Sequence, residues 1–85
     1  MRSAMKVQFF GRMTERLGRE VEVDVPERGC SVADLRRRLA ELHPRAETEL
    51  LSPTLRACVD DAIAGDDRIV REGSEVAFFP PLSGG

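Results

Sequence analysis

One stretch of this chain, residues 31–42, carries apolar residues at helical spacing, with Val32, Leu35, Leu39 and Leu42 recurring every third or fourth position. Ser31 supplies a side-chain oxygen for the helix N-cap, and Asp34 places a negative charge in the first turn. His43-Pro44 ends the helix, because proline disfavours α geometry in the residue before it. No other segment of the chain repeats this pattern at comparable length. A chain with a single substantial helix must close its core by laying that helix across a sheet made from the strands on either side.

The flanking segments supply those strands. Residues 5–10 alternate, with Val7 and Phe9 on one face, and residues 20–25 alternate with Val21, Val23 and Val25 on one face. Between them, residues 11–18 read as a short helix, Met13 and Leu17 lying one turn apart and Gly18 stopping it. Pro26 and Gly29 break the pattern before the main helix, and Cys30 stands where it can pack on Leu35 as a hydrophobic staple. Arg36, Arg37 and Arg38 read as the solvated side of the helix. Residues 45–54 read as a loop with one helical turn around Leu50 and Leu51. Residues 55–59 form a strand with Leu55, Ala57 and Val59 inward, Asp60-Asp61 a turn, and residues 62–64 a short return strand. Gly65-Asp66-Asp67 turns again, Gly73 breaks the chain, and residues 75–79 form the last strand.

Two strand pairs around one helix predict an α+β fold of the β-grasp, or ubiquitin-like, type: a mixed sheet packed on one main helix. A ferredoxin-like arrangement would need a second substantial helix among the later strands. The domain spans residues 1–79, with residues 1–4 read as an extension, and residues 80–85 form an extended tail.

Composition removes whole classes of function. Thirteen basic against fifteen acidic residues give a net charge of −2, which offers no electrostatic footprint for nucleic acid. No apolar run approaches the ~18 residues of a membrane span, and no signal-peptide pattern is present, so a cytoplasmic protein is expected. Cys30 and Cys58 lie far apart, and His43 is the only histidine, so no metal site is expected. The acidic pairs at 60–61 and 66–67 are explained by turn chemistry. The sequence shows no Ser/His/Asp grouping and no glycine-rich phosphate loop.

What remains is a surface and a tail. If Val7 and Phe9 point inward, Phe10 points outward; if Val76 and Phe78 point inward, Phe79 points outward. First and last strands are neighbours in a β-grasp sheet, so both rings join one exposed patch, with Ile63 beside them and Leu82 just beyond. Exposed apolar surface on a small domain marks a protein-binding site. Past Phe79 the sequence runs Pro80-Pro81-Leu82-Ser83-Gly84-Gly85. Proline favours an extended path, and glycine lets a backbone carboxylate enter a space that a side chain would block. At about 3.3–3.6 Å per residue the six residues could carry that carboxylate ~20 Å from the domain.

The run Val76-Ala77-Phe78-Phe79-Pro80-Pro81-Leu82-Ser83-Gly84-Gly85 resembles the C-terminal signature of the small, sulfur-carrier subunits of molybdopterin synthases. Lys6-Val7-Gln8-Phe9-Phe10 and Gly73-Ser74-Glu75 are similar as well, so the resemblance covers most of the chain from Met5 onward. It implies a β-grasp fold and chemistry at the carboxylate of Gly85, with Gly84 the slim residue behind it. A partner enzyme spends ATP to adenylate Gly85, sulfur from another protein turns it into a thiocarboxylate, and this chain binds no cofactor itself. The tail then enters the large synthase subunit, in a heterotetramer of two small and two large subunits, and passes sulfur to a cyclic pyranopterin precursor in molybdenum cofactor biosynthesis. Phe10, Ile63 and Phe79 match the family's hydrophobic partner surface, and catalytic side chains come from the partners. Alternatives are a carrier serving thiamine synthesis, cysteine synthesis or transfer-RNA thiolation, a ubiquitin-like protein modifier, and a plain interaction module.

Overall fold

Alternating residues near the two ends of the chain meet in one sheet. A computed structural model describes residues 2–80, the side chains of Arg2 and Ser3 excepted. The chain order is β1 (Arg2–Phe9), α1 (Met13–Leu17), β2 (Glu20–Pro26), β3 (Cys30–Ser31), α2 (Val32–Leu42), a 3-10 turn (Pro44–Ala46) and α3 (Glu47–Leu50). After these come β4 (Arg56–Val59), β5 (Ala62–Ala64), β6 (Ile69–Val70) and β7 (Val76–Phe79). Five strands make the main sheet in the order β2-β1-β7-β4-β5. The β1–β7 pair at its centre is parallel and the other pairs are antiparallel, so the sheet is mixed, as expected of a β-grasp.

The inward parity of each strand holds. Met5, Val7, Phe9, Val23, Val25, Ala57, Val59, Val76 and Phe78 are buried beneath Val32, Leu35, Leu39 and Ala40 of α2. The Phe9 and Phe78 rings lie at the parallel junction, nearly parallel with centroids 6.0 Å apart. Ser31 caps α2 by accepting a hydrogen bond from the Asp34 amide at 3.1 Å. The β4–β5 hairpin turns on Asp60 (φ 51°) and Asp61 (φ 69°), a pair of left-handed residues of the kind two-residue hairpin loops require. Asp60 also locks this turn to the start of β7. Its carboxylate accepts from the Glu75 amide at 2.9 Å, while its own amide donates to the Glu75 carbonyl at 2.8 Å.

Several details depart from the sequence reading. Residues 2–4 are not an extension: β1 runs back to Arg2, paired opposite Pro26. Phe10 lies one residue past the end of β1, and β4 starts at Arg56 instead of Leu55. The helical turn expected near Leu50 in residues 45–54 is α3, and the 3-10 turn before it adds more helix than expected, with Ala46 and Leu50 one turn apart and buried. Cys30 is buried in the two-residue strand β3, opposite Val70 of β6, a pairing too short to leave any periodicity.

The helix departs from expectation at two positions. Leu42, at the last turn of α2, is 58% exposed, whereas Arg36 is only 8% exposed. Arg36 faces α3: its Nε donates to the Leu50 carbonyl at 2.7 Å, a terminal nitrogen donates to the Ser52 carbonyl, and the other meets Asp66 at 3.0 Å. Only the rest of the arginine run is surface: Arg37 is exposed and pairs with Asp34, and Arg38 is half-buried.

Candidate functional site

Because side chains alternate along each strand, the residues left outside the core line a second, helix-free face of the sheet. Gln8 of β1 stands opposite Ala77 of β7, Ala77 opposite Cys58 of β4, and Cys58 opposite Ile63 of β5. These four form one row across the outer face. In the next row the Phe10 amide donates to the Phe78 carbonyl at 3.0 Å, which extends the β1–β7 register and brings Phe10 alongside Phe79. Phe79 in turn stands opposite Arg56. Phe10 is 52% and Ile63 69% exposed, while Phe79 is half-buried.

The three apolar residues named from sequence therefore share a face but do not form a single contact. Phe10 and Phe79 are neighbours; Ile63 sits two strands from Phe79 and one row away. Ala77 and Cys58, both half-buried, bridge the gap and make the patch continuous. Cys58 is the residue that sequence reasoning missed. The signal was present, since inward Ala57 and Val59 force Cys58 outward. Both cysteines are free thiols. Burial pushes the Cys30 thiol above its ordinary value of 9.0; the Arg38 charge pulls it down and that of Asp34 pushes it up, both by less.

The remainder of the outer face is acidic. Glu20, Glu22 and Asp24 point outward from β2, opposite Gln8, Lys6 and Ala4, and Glu75 precedes β7 beside Asp60. With Asp61 in the hairpin turn and Asp60 paired to Arg68, the acids outnumber the described cations beside them, Lys6 and Arg56. A shallow depression of about 440 Å³ lies on this face, lined by Glu20, Glu22, Asp61 and Glu75, by the single cation Lys6, and by Cys58 and Ala77.

At the apolar end of this face β7 ends at Phe79. Pro80, directly after Phe79, is exposed and lies over Gly11, where a Cβ would fall 2.7 Å from the proline Cγ. Gly11 has φ +78°, so both its backbone conformation and its neighbour suit a residue without a side chain. The expected tail residues Pro81, Leu82, Ser83, Gly84 and Gly85 lie outside the described residues. Among the described residues no group of His, Cys, Asp and Glu could hold a metal ion. No helix among them is long and apolar enough to cross a membrane.

Comparison with known proteins agrees with this architecture. The chain is 36% identical over 84 residues to the molybdopterin synthase sulfur carrier subunit of Escherichia coli strain K12, a match spanning 95% of this chain and 99% of that protein. The crystal structure of SAMP1 from Haloferax volcanii superposes with a TM-score of 0.82 at 29% identity, over 98% of this chain and 100% of that one. A chain in the protein-protein complex of subunits 1 and 2 of molybdopterin-converting factor from Helicobacter pylori 26695 shares the fold, with a TM-score of 0.61 at 18% identity over 98% of this chain and 100% of that one. The profile of the ThiS family matches residues 7–85, from the first strand through the terminal glycines. The chain belongs to the ThiS family.

Proposed function

We propose that this chain is the sulfur-carrier subunit of a molybdopterin synthase, working in the cytoplasm through the main-chain carboxylate of Gly85. The observation that carries this reading is the near full-length similarity to a subunit of that name, at 36% identity over 95% of the chain. The outer face supports it physically, because an exposed apolar strip leads without interruption into Pro80 and the residues beyond.

The chemistry follows from the poor electrophilicity of a carboxylate. An activating partner first lets a Gly85 oxygen attack the α-phosphorus of ATP, giving an acyl-adenylate and pyrophosphate. A sulfur nucleophile supplied by another protein then attacks the acyl carbon, AMP leaves, and a thiocarboxylate remains. Splitting one difficult substitution into two easier ones is the usual gain from a covalent intermediate. The tail, with Pro80 and Pro81 as its stiff root, Leu82 and Ser83 as its middle and Gly84 as its slim neck, enters the large subunit. There the sulfur passes to a cyclic pyranopterin precursor. Phe10, Phe79 and Ile63 hold the domain on its partners, in an assembly of two small and two large subunits. ATP belongs to the activating partner, and this chain needs no cofactor of its own.

The test is reconstitution. The chain prepared with a C-terminal thiocarboxylate, mixed with the large subunit and the cyclic precursor, should yield molybdopterin while Gly85 returns to a carboxylate. Failure to form product, with a known carrier active in parallel, would sink the proposal. A second reading, protein modification, is favoured by the likeness to H. volcanii small archaeal modifier protein 1, at a TM-score of 0.81 and 26% identity. It predicts Gly85 joined to lysines of other proteins instead of carrying sulfur.

A further inference from the structure

The outer face gathers acids that make no ion pair among the described residues. Some acids elsewhere are paired: Asp34 with Arg37, Glu49 with Arg16 at 2.8 Å, and Asp66 with Arg36 at 3.0 Å. On the outer face Asp60 alone is paired, 3.8 Å from Arg68. Among the described residues, the carboxylates of Glu20, Glu22, Asp24, Asp61 and Glu75 have no ion pair and no hydrogen bond. Four of these five line the depression, whose lining includes the same Ala77 and Cys58 that bridge the apolar strip. These acids lie directly beside the apolar anchor.

From this charge imbalance and its continuity with the apolar strip, we infer that the occupant of this face is a protein surface with basic side chains flanking an apolar pocket. An arginine or lysine of the partner lies in the depression, its aliphatic stem over Ala77 and Cys58 and its cation among Glu20, Glu22 and Glu75. This deepens the proposed function and rests on it in naming the large subunit as that partner. The apolar strip supplies contact area and slow dissociation. The acidic half supplies orientation and fast encounter, because a field of one sign steers an oppositely charged partner and is screened by salt. Without the acidic half, the apolar strip would grip a partner in more than one orientation; with it, the tail enters the partner in one.

Association kinetics with the large subunit test the inference. The association rate should fall about tenfold from low to high ionic strength, with dissociation nearly unchanged. Glu22→Gln and Glu75→Gln, both at exposed positions, should each slow association and flatten the salt dependence, while Glu47→Gln on exposed α3 should do neither. A salt-independent or salt-accelerated rate, or equal slowing by Glu47→Gln, overturns it. Should the wild-type chain not bind the large subunit at all, the carrier proposal fails, and a second arm still decides this one. A tri-arginine peptide titrated into the free chain should shift the amide resonances of Lys6, Gln8 and Ala77, and Glu22→Gln should weaken the effect. Absence of those shifts, or shifts spread evenly over the surface, overturns the inference without reference to sulfur chemistry.

Discussion

Phe79 is half-buried on the outer face while its predecessor Phe78 is buried in the core, so adjacent residues of one strand carry separate roles. Covering an aromatic ring is worth about 1.5–3 kcal/mol. Phe79→Ala should therefore weaken binding to the large subunit by roughly 10- to 100-fold. The same change should cost the free domain much less than ~3 kcal/mol, the lower end of the penalty for emptying a core phenylalanine site. Calorimetric binding and chemical denaturation of the same variant separate the two effects, and equal losses would refute the assignment. Cys30 offers a second residue-scale expectation. Its thiol is raised mainly by burial, so the folded state resists ionisation that the unfolded state allows. Stability is then full below the ordinary thiol value of 9.0 and declines as pH climbs past it. Denaturation curves should show a shallower decline for Cys30→Ala than for wild type, and identical slopes would contradict the burial argument. Alternation alone identifies Phe10 and Phe79 as outward residues, whereas Ile63 is placed beside them by its short strand and by the family resemblance. The bridging role of Cys58 needs its opposite partners on two strands, which no single strand pattern contains.

At the scale of elements, α2 shows how far amphipathic spacing reaches. Its cap, its end and its Val32-Leu35-Leu39 stripe follow from local chemistry, whereas the burial of Arg36 follows from what packs beside it. A helical arginine reads as solvated until α3 and the turn at Asp66 supply two carbonyls and a carboxylate. The carbonyl bonds should dominate, because hydrogen bonds to a charged group are worth about 1.5–3 kcal/mol when buried. Asp66 is 62% exposed, so its ion pair falls in the class worth ~0–1 kcal/mol. Arg36→Leu should thus destabilise by ~1.5–3 kcal/mol or more and Asp66→Asn by less than ~1 kcal/mol, read from urea midpoints. The reverse order would mean that the ion pair, not the carbonyl clamp, joins α2 to its neighbours. The β3–β6 pair stays hidden from sequence for a different reason: two residues per strand have no period to detect.

For the whole molecule, the number and order of elements, the mixed sheet and the helix across it are readable because each strand's inward residues must reach one core. The placement of β1 beside β7 is not local, and it decides the function-bearing geometry by setting Phe10 next to Phe79 at the root of the tail. The same sheet order sets Glu20, Glu22, Asp61 and Glu75 around one depression beside the apolar strip. On this account the fold is a handle, and the reacting group is the main-chain carboxylate of Gly85. The most direct test is the intact mass of the full chain after incubation with ATP, a molybdopterin synthase activating enzyme and a sulfur donor. The account predicts a gain equal to replacement of one oxygen by sulfur, located by fragmentation at Gly85 and removed by alkaline hydrolysis. An unchanged mass under conditions that load a known carrier, or mass added at any side chain, would contradict it.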